Sequence, residues 1–334
     1  MRIAIANDMP LAVEALRRAL AAGPEYQLIW VASNGEEAVS RCRDDLPELL
    51  LMDMLMPGMD GVEATRRIMH DTPCAILIVT SDVERNMSRV FDAMGAGALD
   101  VVAAPSLGPQ QVLDAAAVRR KIHNIAWMIG HKTSRSVKPT PVRSTENRGK
   151  RLVAIGASAG GPASLVELLR QIPPDFPASI VLVQHVDEVF AAGMAQWLGS
   201  ESHMPVRLAR EGEVLQPATV LLAGTNNHLY LAPEGRLVYR REPADQVYRP
   251  SIDVFFESVA TYWRGDAIGV LLTGMGRDGA RGLKLMRERG FHTIAQDQAS
   301  SAVYGMPKAA VALGAAAEVL PLDRIAARLL ERLG

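Results

Sequence analysis

Short apolar runs alternate with amphipathic stretches along most of the chain. In the first 125 residues the runs are Ile3–Ala6, Leu28–Ala32, Leu49–Met52, Ala75–Thr80 and Asp100–Val102. Unbroken apolar segments of this length bounded by turn residues predict buried strands. Between them, Leu11–Ala22 and Gly35–Arg43 repeat apolar residues at helical spacing, and a long last helix is predicted from Gln110 to Ile129. Five such βα units predict a doubly wound, open parallel sheet covered by helices on both faces. Residues 131–150 break the pattern: they are polar, basic and proline-bearing, the composition of a linker. The alternation then resumes, with strands predicted at Leu152–Ile155, Ser179–Val183, Thr219–Ala223, Ala267–Leu272 and Thr293–Ala295. A hairpin turned by Glu234-Gly235 is predicted between Leu229 and Tyr239. The expected organisation is a first α/β domain over 1–125, a helix end and flexible linker over 126–150, and a second, mostly parallel α/β domain over 151–334.

Bulk properties narrow the function without naming it. Of 334 residues, 49% are hydrophobic, enough for packed cores, and a net charge of −1 gives no general pull toward nucleic acid or an anionic membrane. No apolar run has the length needed to span a bilayer, and Met1–Ala6 passes at once into polar Asn7-Asp8, unlike a signal peptide. The two cysteines, Cys42 and Cys74, lack metal-like spacing and read as reduced core thiols. A cytoplasmic protein is expected.

In an open α/β sheet, ligands gather at the carboxyl ends of the strands. Asp8 follows the first predicted strand and Asp53 ends the third, so both carboxylates should face one crevice, where they form a plausible Mg²⁺ site; loop capping is the plainer use. Thr80, ending the fourth strand, is placed to reach a phosphoryl group on Asp53. The run Leu50-Leu51-Met52-Asp53-Met54-Leu55-Met56-Pro57-Gly58-Met59-Asp60-Gly61, with Gly95-Ala96-Gly97-Ala98-Leu99-Asp100, resembles response-regulator receiver domains. The resemblance implies phosphorylation on Asp53, Mg²⁺ held by Asp8 and Asp53, and Thr80 as the switch residue. Three positions depart from the family pattern. Asn7 stands for an acidic residue, Ala104 for a lysine that senses the phosphoryl group, and Val101 for an aromatic switch residue. Losing a carboxylate weakens metal binding, and losing the ammonium removes a charge-assisted contact between phosphorylation and loop rearrangement.

In the second half, Leu152-Val153-Ala154-Ile155-Gly156-Ala157-Ser158-Ala159-Gly160-Gly161 reads as a strand, a tight turn carrying an isolated serine, and the start of a helix opened by Pro162. A hydroxyl beside backbone N–H groups at a helix N-terminus suits a nucleophile for acyl transfer, with Ala159 and Gly160 as oxyanion donors. A phosphate-binding or merely turning loop is the alternative for the segment alone. His185 ends the next predicted strand and is the best-placed base. His203 lies in a loop, His228 begins the hairpin where it could line the site, and His292 starts a strand at the edge away from the crevice. Asp278 follows the strand Ala267–Leu272 and arrives at the same edge, with N–H groups around Met275 and Gly276 offering a second oxyanion contact. Capping of a helix beginning near Gly279 is the other use expected of Asp278.

These pieces, with Val183-Gln184-His185, Arg249-Pro250-Ser251-Ile252-Asp253-Val254, Leu271–Gly279 and Tyr304-Gly305-Met306-Pro307-Lys308-Ala309-Ala310, resemble the CheB-type chemotaxis protein-glutamate methylesterases over residues 151–334. The run Asn7–Leu16 is further similar to the Wsp-type surface-sensing subgroup. The family's serine, histidine and aspartate fall on Ser158, His185 and Asp278. The resemblance implies hydrolysis of glutamate γ-methyl esters on the cytoplasmic part of methyl-accepting chemoreceptors, with glutamine deamidation as a companion activity. It also implies no cofactor for the ester chemistry and a CheA-type histidine kinase as the phosphodonor partner. The long last helix and basic linker suggest a first domain that restrains the active-site edge until Asp53 is phosphorylated. The contrasting reading is a receiver-type binding module acting mainly on the kinase. A nucleotide-binding reading lacks both a G-x-G-x-x-G match and an evident Walker lysine.

Overall fold

A computed structural model describes residues 1–21, 23, 25–81, 87–105, 111–130, 150–244 and 246–334. Residues 131–149 of the expected linker, the first residue of the expected last helix (Gln110) and the last of the expected first helix (Ala22) lie outside the described residues. The chain divides into two compact units, residues 1–131 and 132–334.

The first unit holds strands β1 (Arg2–Ala6), β2 (Gln27–Ala32), β3 (Leu49–Asp53), β4 (Ala75–Thr80) and β5 (Asp100–Ala103) in one parallel sheet of order β2-β1-β3-β4-β5. Its helices are α1 (Pro10–Ala21), α2 (Gly35–Asp44), α3 (Gly61–Asp71), α4 (Met87–Gly95) and α5 (Gln111–Gly130). Helix α1 packs with α5, while α2 packs with α3 and α3 with α4, the two helical layers of a doubly wound fold. Because both sheet faces are covered, Leu49–Met52 and Ile76–Ile78 are fully buried and need no polar alternation. The order reverses between β1 and β3, so the crevice at their carboxyl ends lies next to Asn7, Asp8 and Asp53. Cys42 and Cys74 are free thiols, the first buried and the second partly so.

The second unit has a seven-stranded parallel sheet of order β15-β14-β13-β6-β7-β10-β8. Its strands are β6 (Arg151–Ala157), β7 (Ser179–Gln184), β8 (Val206–Leu208), β10 (Thr219–Leu222), β13 (Asp266–Leu271), β14 (His292–Gln296) and β15 (Glu318–Leu320). The expected hairpin is β11 (His228–Leu231) and β12 (Arg236–Arg240), joined by β9 (Glu213–Val214) into a small antiparallel sheet. Helices α6 (Gly161–Arg170), α7 (Glu188–Glu201) and α11 (Leu322–Leu333) pack together, as do α8 (Ile252–Tyr262), α9 (Ala280–Glu288) and α10 (Met306–Ala312). The chain leaves β6 toward β7 and β10, then returns through β13 to β14 and β15 on the other side. This reversal puts the topological switch point, where open α/β sheets place their ligands, at the carboxyl end of β6. Ser158 is the next residue.

Candidate active site

Three parallel strands deliver three side chains to one edge. β6 pairs with β7 in the register Ala157↔Gln184, and with β13 in the register Leu271↔Gly156. Ser158 therefore sits between His185, the residue after β7, and the loop that leaves β13 toward Asp278. His185 Nδ1 lies 3.1 Å from Ser158 Oγ, and His185 Nε2 lies 2.8 Å from Asp278 Oδ2. All three are buried, at 5%, 9% and 7% relative exposure. The carboxylate is acceptor-only, so it takes the proton on Nε2 and leaves the lone pair of neutral His185 on Nδ1, facing the hydroxyl.

Asp278 is fixed by a helix other than its own. It caps the N-terminus of α8: Oδ1 accepts from Ser251 Oγ at 2.9 Å and Asp253 N at 3.0 Å, and Oδ2 accepts from Ile252 N at 2.7 Å. The expected cap of the helix near Gly279 is not made, since α9 starts from Gly279 with no side-chain cap. The positive end of α8 favours a carboxylate. Burial pushes the Asp278 carboxyl up, but the hydrogen bond and charge of His185, with the N–H groups of Asp253 and Ile252, hold it below the usual range. Asp253, buried beside it, is pushed up to about 7 by burial and then by the Asp278 charge.

Sharp backbone turns bring the remaining groups in. Gly160 has φ of 74°, and a Cβ there would stand 2.5 Å from Ala302 Cβ, so the turn after Ser158 admits glycine alone without strain. Ala159 and Gly160 thus precede the first turn of α6 directly. On the facing loop, a Cβ on Gly274 would lie 2.8 Å from Ser158 Cβ, which lets the Met275–Gly276 backbone pass close to the serine. Gly274 N donates to Val303 O at 3.0 Å, and its carbonyl accepts from Gly305 N and Met306 N. The segment Tyr304–Met306 thereby straps the loop in place.

In the first unit, Asp53 ends β3 in register with Val79, next to Thr80 at the end of β4. Thr80 is 1% exposed and its carbonyl accepts from Ala104 N at 2.7 Å. Asn7 Nδ2 donates to Asp53 Oδ2 at 3.0 Å, while Asn7 Oδ1 accepts from Met9 N at 2.8 Å. Both ends of this amide are engaged where the family pattern has a carboxylate. Burial raises the Asp53 carboxyl to about 6; the N–H groups of Leu55 and Met54 oppose this and the Asp8 charge adds to it. Asp8 is exposed, and Val101 is fully buried in β5. Among the described residues, no group of three or more His, Cys, Asp or Glu is arranged to hold a metal. Asp8 and Asp53 remain a two-carboxylate pair, a donor set suited to a hard divalent cation.

Comparison with known proteins finds the CheB methylesterase family over residues 153–329 and the response regulator receiver domain over residues 3–117. The chain belongs to the CheB methylesterase family. A protein-glutamate methylesterase/protein-glutamine glutaminase 3 of Pseudomonas aeruginosa is 66% identical to it over 335 aligned residues, covering 99% of each chain. A protein-glutamate methylesterase/protein-glutamine glutaminase of group 3 operon, from Pseudomonas putida, is 65% identical, again over 99% of each chain. The crystal structure of the Thermotoga maritima CheB methylesterase catalytic domain matches 55% of this chain and 99% of its own, at 35% identity and TM-score 0.53. Two α/β domains, receiver then methylesterase, are therefore the architecture of this CheB-family chain.

The roles of several residues around the serine escaped the sequence reading. Thr273, fully buried, links four segments. Its carbonyl accepts from Ser158 N at 3.1 Å, its hydroxyl donates to Ala159 O at 2.9 Å and accepts from Val303 N at 2.9 Å, and its N–H reaches Gln296 Oε1 at 2.7 Å. Gln184 donates through Nε2 to Ser158 O at 3.0 Å and His185 O at 3.3 Å, tying the backbones of hydroxyl and imidazole together. His228 does not line the site. It is fully buried, accepting from Ser251 N at 3.1 Å through Nδ1 and facing Pro243 O at 3.1 Å through Nε2, so it braces the segment that holds Asp278. Burial keeps its pKa below the usual imidazole range. The Ser251-Ile252-Asp253-Val254 run carries the one local signal, a serine N-cap that accepts from Val254 N.

Proposed function

We propose that the chain hydrolyses glutamate γ-methyl esters on methyl-accepting chemoreceptors to glutamate and methanol, with Ser158 as nucleophile, His185 as base and Asp278 as the group that orients the base. The observation that carries this reading is the continuous chain of contacts from Ser158 Oγ through the imidazole to Asp278. Relatives named as methylesterases along the full chain supply the substrate class. Ser158 Oγ attacks the ester carbonyl as His185 Nδ1 takes its proton, and Asp278 balances the imidazolium charge. Backbone N–H groups of Ala159 and Gly160 on one side, and Met275 and Gly276 on the other, stabilise the oxyanion. Methanol departs with the proton returned by His185, and water enters by the same base to release glutamate. A glutamine side chain follows the same path with ammonia as leaving group, in keeping with the glutaminase part of the relatives' names.

Phosphorylation of Asp53 by a CheA-type histidine kinase regulates the esterase in this reading, with Thr80 contacting the phosphoryl group. Asp8 and Asp53 would hold Mg²⁺, which neutralises charge between the aspartate and the incoming phosphoryl group. Among the described residues no helix is long and apolar enough to cross a membrane. The test is methanol release from a methylated receptor fragment, with and without a small-molecule phosphodonor and Mg²⁺. Release that is lost in Ser158→Ala, and that rises with the donor only while Asp53 is intact, is expected. Release that persists in Ser158→Ala would end the serine mechanism. Release unaffected by the donor would end the gating, and turnover left unchanged from that of the unphosphorylated full chain by removal of residues 1–145 would end the restraint.

A further inference from the structure

The imidazole of His185 has a neighbour that the proton path does not use. The Tyr248 ring lies face to face with it, centroids 4.1 Å apart and planes 4° from parallel. Tyr248 is partly buried, and a Cβ on Gly276 would stand 3.2 Å from its hydroxyl, so the tyrosine lies between the base and the loop before Asp278. It also belongs to the segment that anchors the carboxylate. Three residues on, Ser251 donates to Asp278, and buried His228 ties Ser251 N to the segment's other end at Pro243.

We propose that Tyr248 is a positioning residue for the base, holding the His185 ring in the one plane that serves Ser158 and Asp278 together and stabilising the imidazolium formed when Ser158 gives up its proton. This rests on the serine mechanism above. The ring makes one hydrogen bond at each nitrogen, at 3.1 Å and 2.8 Å, and a tilt out of plane lengthens both. A flat aromatic face in parallel contact opposes that tilt, and its negative π-surface favours a cationic ring over a neutral one. Asp278 on Nε2 fixes which nitrogen carries the resting proton, but a single acceptor leaves the ring free to swing about that bond. The stack supplies the second constraint. Other titratable or charged groups around this pair include Asp253 in contact with Asp278, Arg281 paired with Asp253 and with Glu257, Glu257 within reach of the Asp278 charge, Arg249 and Arg277 adjoining Tyr248 and Asp278 in the chain, and His228 across Ser251.

The test uses the full chain with Tyr248→Leu and Tyr248→Phe. Tyr248→Leu should lower kcat for methanol release about tenfold with KM little changed, and move the acid limb of kcat/KM down by about half a pH unit. Tyr248→Phe keeps the aromatic face and should recover most of kcat and the wild-type pH limb. Independently of turnover, the ¹⁵N-imidazole NMR titration of His185 should shift down in Tyr248→Leu and stay in place in Tyr248→Phe. Equal losses in both variants, or an unchanged His185 titration in Tyr248→Leu, would overturn the proposal. Absence of methanol release from the wild-type chain would instead count against the esterase reading, with the NMR titration still deciding the role of the stack.

Discussion

The two halves of this chain place polar side chains at the same kind of location, the carboxyl edge of a parallel sheet where the strand order reverses, yet they furnish it differently. In the methylesterase half each residue of the proton path is also held by groups outside that path. Asp278 accepts four hydrogen bonds, His185 is fixed at both nitrogens and stacked on one face, and the serine backbone is gripped by Thr273 and Gln184. In the receiver half Asp53 shares its edge with exposed Asp8 and with an amide, Asn7, whose two ends are already committed. A densely hydrogen-bonded buried polar network rigidifies its site, whereas a crevice short of one carboxylate and one ammonium keeps its acceptor but loses part of its grip on charge. The contrast indicates that geometry suited to turnover is built into the fold, while control by phosphorylation rests on fewer contacts.

The largest expected effect comes from breaking the network at its base. Asp278→Asn replaces the acceptor for Nε2–H with a group that can present an amide N–H donor, turning the imidazole toward the wrong tautomer. The rate of methanol release should fall by about three to four orders of magnitude in steady-state assays while the fold survives. Next is the turn. Gly160→Ala forces a side chain into left-handed backbone against Ala302 and Thr273, and should cost about 1–3 kcal/mol in denaturant unfolding, with a larger fractional loss of activity than that destabilisation explains.

The receiver half is sharpened by its acid. The Asp53 carboxyl is raised to about 6 in the folded chain, so folding favours its protonated form. That stabilising contribution is complete below the unfolded carboxyl pKa and is lost as pH rises through about 6. Asp53→Asn should therefore stabilise the receiver by on the order of 2 kcal/mol at pH 8 and by little at pH 4, read from thermal unfolding at both values. Labelling by a small phosphodonor should decline below pH of about 6, where the acceptor holds its proton. The smallest effect is expected from Asn7→Asp, which restores a second carboxylate beside Asp53 and should tighten Mg²⁺ binding by about tenfold in calorimetry. An unchanged affinity would mean that the amide is not what limits the cation there.

Much of this was legible in the chain. The strands of the receiver emerge from apolar runs alone to within a residue or so at most ends, because burial on both sheet faces writes each strand as an uninterrupted hydrophobic word. Ser158, His185 and Asp278 could be placed on one edge because each directly follows a strand or its loop, and parallel order brings strand ends together. The short strands β8, β9 and β15, of two or three residues each, carry too little pattern to be seen. The supporting groups were hidden for another reason. Thr273, Gln184, Tyr248 and His228 act chiefly through contacts 15 to 115 residues away in sequence, and nothing in their local spacing records those partners. The cap on Asp278 shows the same limit: proximity in sequence pointed to α9, and the folded chain offered the N-terminus of α8.

The central claim is that Ser158 is acylated by the substrate. Rapid-quench mass spectrometry of the full chain mixed with a receptor fragment bearing glutamate γ-methyl esters tests it directly. The account predicts a transient covalent receptor adduct on the peptide containing Ser158, formed in step with the first equivalent of methanol and absent from Ser158→Ala. Steady methanol release with no adduct at Ser158 at any quench time, and with Ser158→Ala still active, would contradict it.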